Sequence, residues 1–113
     1  MTERQKRTMR AKAAPVMASA DRKDWIEEHM TQAAVEGERH VARDVLSRDF
    51  VDAYIEATNA AFRPTAYGAY KCPMLGRDLA EMVEEGRLRR TRIGIEGLAG
   101  MGFPRWVWSY RIR

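Results

Sequence analysis

The sequence predicts an α+β fold, three helices followed by a C-terminal β-hairpin, and three observations carry that prediction. Apolar residues recur at helical spacing in three segments ahead of Gly86. Beyond Gly86 the period changes to strand-like alternation, most plainly in Trp106, Trp108 and Tyr110. The chain has 113 residues, 45% of them hydrophobic and 32% charged, which suits one core and leaves no room for a second.

Residues 1–19 mix bases with small residues and Pro15 and lack apolar periodicity, so they read as a flexible basic arm. Residues 20–113 read as the folded domain. Asp21 is placed to cap the first helix, with Asp24 in its first turn and Trp25, Ile26, Met30, Ala33 and Ala34 on one face, until Gly37 ends it. Residues 38–46 stay open between a short strand and a helical turn. Ser47 reads as a second N-cap for a helix over residues 48–59, whose core face is Phe50, Val51, Tyr54, Ile55 and Thr58 and whose stop is Asn59. Residues 60–72 hold Pro64, Gly68 and three aromatics with neither period, and they read as a long loop. Pro73 suits the first position of a third helix that buries Leu75, Leu79, Met82 and Val83 and ends at Gly86. Leu88 and Ile93 to Ile95 give one strand, Trp106 to Tyr110 the other, with a tip of three glycines and Pro104 between them.

The net charge of +4 is unevenly spread. Residues 1–12 carry +4, residues 13–86 carry −6, and residues 87–113 carry +6 from seven arginines against Glu96. An acidic body with basic ends, one of them built from arginine alone, is the footprint of a partner that is a polyanion, and arginine forks onto phosphate and guanine edges.

Composition excludes several other classes. Cys72 is the single cysteine, so no internal disulfide forms, and with His29 and His40 it does not supply the four ligands of a structural zinc. No metal or cofactor is expected. No Ser or Cys nucleophile stands at a recognisable spacing from a base and acid, so the chain does not read as an enzyme. Gly97, Gly100 and Gly102 follow no strand-to-helix transition and precede no Lys-Ser or Lys-Thr, so they form no phosphate loop. No apolar run reaches 18 residues, and no membrane partner is expected. The first twenty residues outline a secretory signal, but the stretch from Ala13 to Ala20 has no Leu, Ile or Phe and contains Pro15. A cytoplasmic location is the default reading.

The run from Met74 to Arg90 (MLGRDLAEMVEEGRLRR), then a glycine-rich tip, then Gly102 to Tyr110 (GFPRWVWSY), resembles the third helix and wing of bacterial winged helix-turn-helix regulators. The positions that carry the likeness are Leu79, Met82 or Val83, Gly86, Leu88 and the arginines that follow. The small size and basic arm also resemble accessory regulators of phages and mobile elements. The resemblance implies a winged-helix domain and a sequence-specific, double-stranded-DNA-binding transcriptional regulator. It further implies that the side of the third helix bearing Met74, Arg77, Asp78, Glu81 and Glu85 faces a major groove about 12 Å wide. A homodimer would double the site that one helix reads.

The third helix departs from that pattern in holding Arg77 against Asp78, Glu81, Glu84 and Glu85, acids that would repel phosphates deep in a groove. Its N-terminal end is therefore the reading edge, with Lys71, Met74 and Arg77 at the bases and Tyr67 and Tyr70 beside them, open between base contact and packing. Arg89, Arg92 and Arg105 of the wing hold phosphates, which fix register without reading sequence. Trp106, Trp108 and Tyr110 share one strand face, which either fills the core or stacks single-stranded bases; a domain this small needs large side chains inside, and core packing is the preferred reading. The alternative function is a protein-binding adaptor or inhibitor acting on a host protein. It would use the acidic third helix and the apolar tip residues Leu98, Met101 and Phe103.

Overall fold

A computed structural model describes residues 14–35, 48–64, 70–94 and 106–113; Gly37, Ser47, Tyr67, Ile95, Arg105 and the hairpin tip lie outside them. The described residues form an α+β chain of three helices and two small antiparallel sheets: α1 (Ser19–Val35), α2 (Arg48–Thr58), β1 (Arg63–Pro64), β2 (Tyr70–Lys71), α3 (Pro73–Glu84), β3 (Leu88–Gly94) and β4 (Trp106–Ile112).

Helix α1 starts at Ser19, earlier than a cap at Asp21 would set it, because the Arg22 N–H reaches the Ala18 carbonyl at 2.9 Å; Asp21 instead lies in the first turn, where its charge meets the positive end of the dipole. The helix buries Ile26 and Met30. Trp25 stacks on His29 with centroids 3.8 Å apart and meets Phe50 and Tyr54 of α2 at 5.6 and 5.8 Å. The segment ahead of α1 is tied to the body from Ala14 onward. Met17 N–H donates to the Thr58 carbonyl (2.8 Å), and Asn59 Nδ2 donates to the Ala14 carbonyl.

Helix α2 buries Val51, Tyr54, Ile55 and Thr58 on the face its periodicity predicts. It stops where expected, because Asn59 takes φ +59°, a left-handed conformation that asparagine tolerates better than most residues. The connection to α3 is longer than the three- or four-residue turn of a helix-turn-helix motif. The expected loop over residues 60–72 carries a two-residue ladder, Arg63 opposite Lys71 and Pro64 opposite Tyr70.

Helix α3 opens with Pro73 after an extended Cys72 and buries Leu75, Gly76, Asp78, Leu79 and Met82. It closes in a Schellman arrangement: Gly86 N–H donates to the Val83 carbonyl (3.1 Å) and Arg87 N–H to that of Met82 (2.9 Å), with Gly86 at φ +79°. Only a residue without a Cβ takes that angle freely, and the chain reverses there into β3.

Strands β3 and β4 pair from Leu88 opposite Ile112 to Gly94 opposite Trp106. The two-residue period puts Leu88, Arg90, Arg92, Trp106, Trp108, Tyr110 and Ile112 on one face, and Arg89, Thr91, Ile93, Val107, Ser109 and Arg111 on the other. Leu88 and Tyr110 enter the core with Ile26, Met30, Val51, Tyr54, Ile55, Leu75, Leu79 and Met82. Further along the same face Trp108 is partly buried against that core and Trp106 is 39% exposed.

Candidate nucleic-acid interface

The polar side of α3 is where the structure corrects the sequence most. Asp78, expected on the groove-facing side, is 1% exposed. Arg22 of α1 grips it with two donors, Nε to Oδ2 at 2.9 Å and Nη2 to Oδ1 at 3.1 Å, and the Tyr54 hydroxyl donates to Oδ2 at 2.6 Å. One turn on, Lys23 Nζ reaches Glu81 at 3.2 Å and Glu85 at 2.7 Å. Asp78 is thus buried against α1, whereas Glu81 and Glu85, 53% and 44% exposed, share the Lys23 ammonium at the solvent edge of that contact. The physical reason is charge pairing: Arg22 and Lys23 stand next to each other in sequence and match acids spaced along one side of α3.

The titration behaviour follows from that packing. The hydrogen bond to Asp78 raises the Arg22 pKa above that of a free guanidinium, and the bond to Glu85, then that to Glu81, does the same for the Lys23 ammonium. Burial, then the Asp78 carboxylate, pushes the Tyr54 hydroxyl well above the ordinary tyrosine range. Arg87, the first arginine of the C-terminal run, is committed too: Nε reaches Glu27 at 2.7 Å and Nη2 reaches Asp24 at 3.0 Å, and the Glu27 bond chiefly raises its pKa.

The exposed residues of α3 are Pro73, Arg77, Glu81 and Glu84, with Met74 half-buried at its start. Here several predicted residues do meet. Tyr70 (38% exposed) and Lys71 lie on β2, opposite Pro64 and Arg63, and the Tyr70 ring packs 4.7 Å from that of Phe62. A hollow of about 170 Å³ between this ladder and α3 is lined by Ala61, Phe62, Arg63, Pro73, Met74 and Arg77. Arg63 joins Lys71 and Arg77 in a basic cluster that no contiguous motif reveals, because the β1–β2 pairing alone brings it there. Cys72 is buried beside the cluster and makes a 3.5 Å contact with the Ala61 carbonyl; burial raises its thiol pKa, as befits an apolar filler rather than a nucleophile.

The hairpin supplies the second basic surface. Arg89, Arg90, Arg92 and Arg111 are exposed, and neither strand contains a carboxylate. Arg89 and Arg92, expected together on phosphates, are three residues apart on β3 and face opposite sides. Arg90, passed over in the sequence, sits beside Arg92 on the aromatic face. Its guanidinium lies 4.3 Å from the Trp108 ring centroid, while that of Arg92 lies 4.4 Å from Trp106 and 5.6 Å from Trp108. Core packing holds for Tyr110 and in part for Trp108. It fails for Trp106, because the hairpin continues past the edge of the helical body. Tyr67 and Arg105 lie outside the described residues.

Among the described residues no group of His, Cys, Asp and Glu is placed to hold a metal ion, and no helix is long and apolar enough to cross a membrane. The chain matches no known family model, and no curated protein or solved structure is similar to it.

Proposed function

We propose that the chain is a DNA-binding regulator of winged-helix type, gripping duplex phosphates with the β3–β4 hairpin and offering the start of α3 to base edges. The observation that carries this reading is the hairpin itself, with Arg89, Arg90, Arg92 and Arg111 exposed and no acid in either strand. Three helices with a hairpin entered through Gly86 are compatible with a winged helix, with the β1–β2 ladder inserted between α2 and α3. Asp78 of α3 is buried and paired with Arg22, and Lys23 is shared by Glu81 and Glu85; the acids that stay exposed, Glu81, Glu84 and Glu85, lie toward the C-terminal end of the helix, away from the end offered to base edges. Tyr70, Lys71, Met74 and Arg77, joined by Arg63, are the residues that would meet base edges. Regulation would be steric, by occupying a promoter, and pairing of two copies would lengthen the site.

The adaptor reading, in which the acidic helix meets a basic host protein, loses Asp78, which is buried on Arg22; Glu81 and Glu85 remain exposed and share the single Lys23.

The test is the anisotropy of a fluorescent mixed-sequence duplex at about 50 and 200 mM salt. Four phosphates neutralised by the hairpin weaken binding about 150-fold over that range. Changing Arg89, Arg90 and Arg92 together to Glu abolishes binding, whereas Arg87→Ala, whose guanidinium is held by Glu27 and Asp24, leaves it within about twofold. Unchanged affinity of the triple variant overturns the assignment. Competition by an unrelated duplex pool then reads sequence preference.

A further inference from the structure

The aromatic face of the β3–β4 hairpin shares Arg90 and Arg92 with a grip on duplex phosphates, but such a grip does not use its two tryptophan rings. Arg90, Trp108, Arg92 and Trp106 follow one another along it as alternating cations and rings, with guanidinium-to-centroid distances of 4.3, 5.6 and 4.4 Å. The two indoles meet edge to face, 5.1 Å apart and 82° to each other. The outer rung is open to solvent, with Trp106 39% exposed. An exposed tryptophan at the open end of a hairpin adds little to a core that Tyr110 and Leu88 already fill, so burial does not account for it.

We propose that this face is a stacking platform for unpaired bases, and that the protein binds a single-stranded stretch of nucleic acid along it. Within a duplex each base has its faces covered by its neighbours, and an indole gains nothing from them; an unpaired base has a π-face free to stack. The charge selects the same partner. A guanidinium lying over a ring is held by its face and keeps its in-plane N–H donors for phosphate, so Arg90 and Arg92 serve the backbone while the rings serve the bases. Neither arginine is ion-paired among the described residues, and Arg89 and Arg111, on the other face of the hairpin, add positive charge at longer range. An apolar protein partner would not need that density of arginine. The ladder is also preformed, so little side-chain freedom is lost when a base arrives.

The inference goes beyond the duplex reading and is tested separately from it. The full chain is titrated with a labelled twelve-residue oligo(dT) and, in parallel, with the mixed-sequence duplex, following anisotropy and tryptophan quenching. Oligo(dT) binds and quenches, and Trp106→Ala weakens that binding about 5- to 140-fold, the range for losing one stacked base. Trp106→Tyr keeps a ring and most of the affinity, and duplex binding by Trp106→Ala falls by less than about threefold. Binding of the duplex without oligo(dT) overturns the platform and leaves the regulator standing. Oligo(dT) binding that needs Trp106 in a protein that ignores duplex does the reverse. No binding to either overturns both, and equal loss in Trp106→Ala and Trp106→Tyr overturns the stacking role.

Discussion

Replacing Asp78 by alanine tests whether the acidic side of α3 is an internal seam or an outward face. The carboxylate is 1% exposed and receives two hydrogen bonds from Arg22, whose side chain is 13% exposed, and one from a Tyr54 hydroxyl in a fully buried residue. Removing it strands a mostly desolvated guanidinium and an unpaired buried hydroxyl. Breaking a buried pair from one side costs about 3–5 kcal/mol, against roughly 5–15 kcal/mol for the whole stability of a small domain. Followed by fluorescence in urea, the midpoint falls on the order of 2 M. Two further variants keep the reasoning testable if Asp78→Ala does not fold. Tyr54→Phe removes a single hydrogen bond while Arg22 still holds the carboxylate, and it costs about 1 kcal/mol. Arg22→Met combined with Asp78→Leu removes both charges and recovers most of the loss, because an apolar pair carries no desolvation penalty. An unfolding free energy for Asp78→Ala within about 0.5 kcal/mol of wild type, together with tighter DNA binding, refutes the seam and restores the outward face.

Two other outcomes follow from the same geometry. The folded pKa values of Cys72, Tyr54 and Lys23 are all raised from ordinary values of 9.0, 10.0 and 10.5, so the unfolded chain releases these protons first as pH rises. Their contribution to stability is complete below pH 9 and is lost as pH climbs through the raised values, so urea midpoints measured from pH 8 to 11 hold level and then fall; a rise in that window contradicts the assignment. Gly86→Ala places a methyl 3.6 Å from Arg113, an ordinary contact, so its cost is the +79° backbone angle alone, roughly 1–2 kcal/mol by urea unfolding.

The helices were legible in sequence because their information is local. Pro73 at the head of α3, Asn59 and Gly86 at helix ends, and apolar residues at helical spacing act within a few positions of themselves, and the structure uses them as the pattern implies. The change to a two-residue period after Gly86 likewise set which residues of β4 share a face. The candidate site was only partly legible. Tyr70, Lys71, Met74 and Arg77 are near neighbours in the chain and meet at the start of α3, but Arg63 joins them through a strand pairing that two residues of ladder create. Arg90 had a readable signal, since it shares the parity of Arg92 opposite a strand whose alternate residues are aromatic.

Sequence by itself thus determined the order of the three helices and the C-terminal hairpin, though not the β1–β2 ladder, together with the arginine bias of the C-terminal end and the absence of a disulfide framework, all properties of composition or of short-range spacing. Tertiary structure decided which charges are spent and which remain. Asp78 looks like part of a solvated acidic face until Arg22, more than fifty positions away, is brought against it, while Lys23 is shared by Glu81 and Glu85, which stay exposed. Trp106 and Tyr110 are equivalent by alternation, yet one is exposed and the other buried, because burial depends on how far the helical body extends beneath the hairpin. Periodicity states which residues share a face; what covers that face depends on segments distant in the chain, and only their packing supplies it.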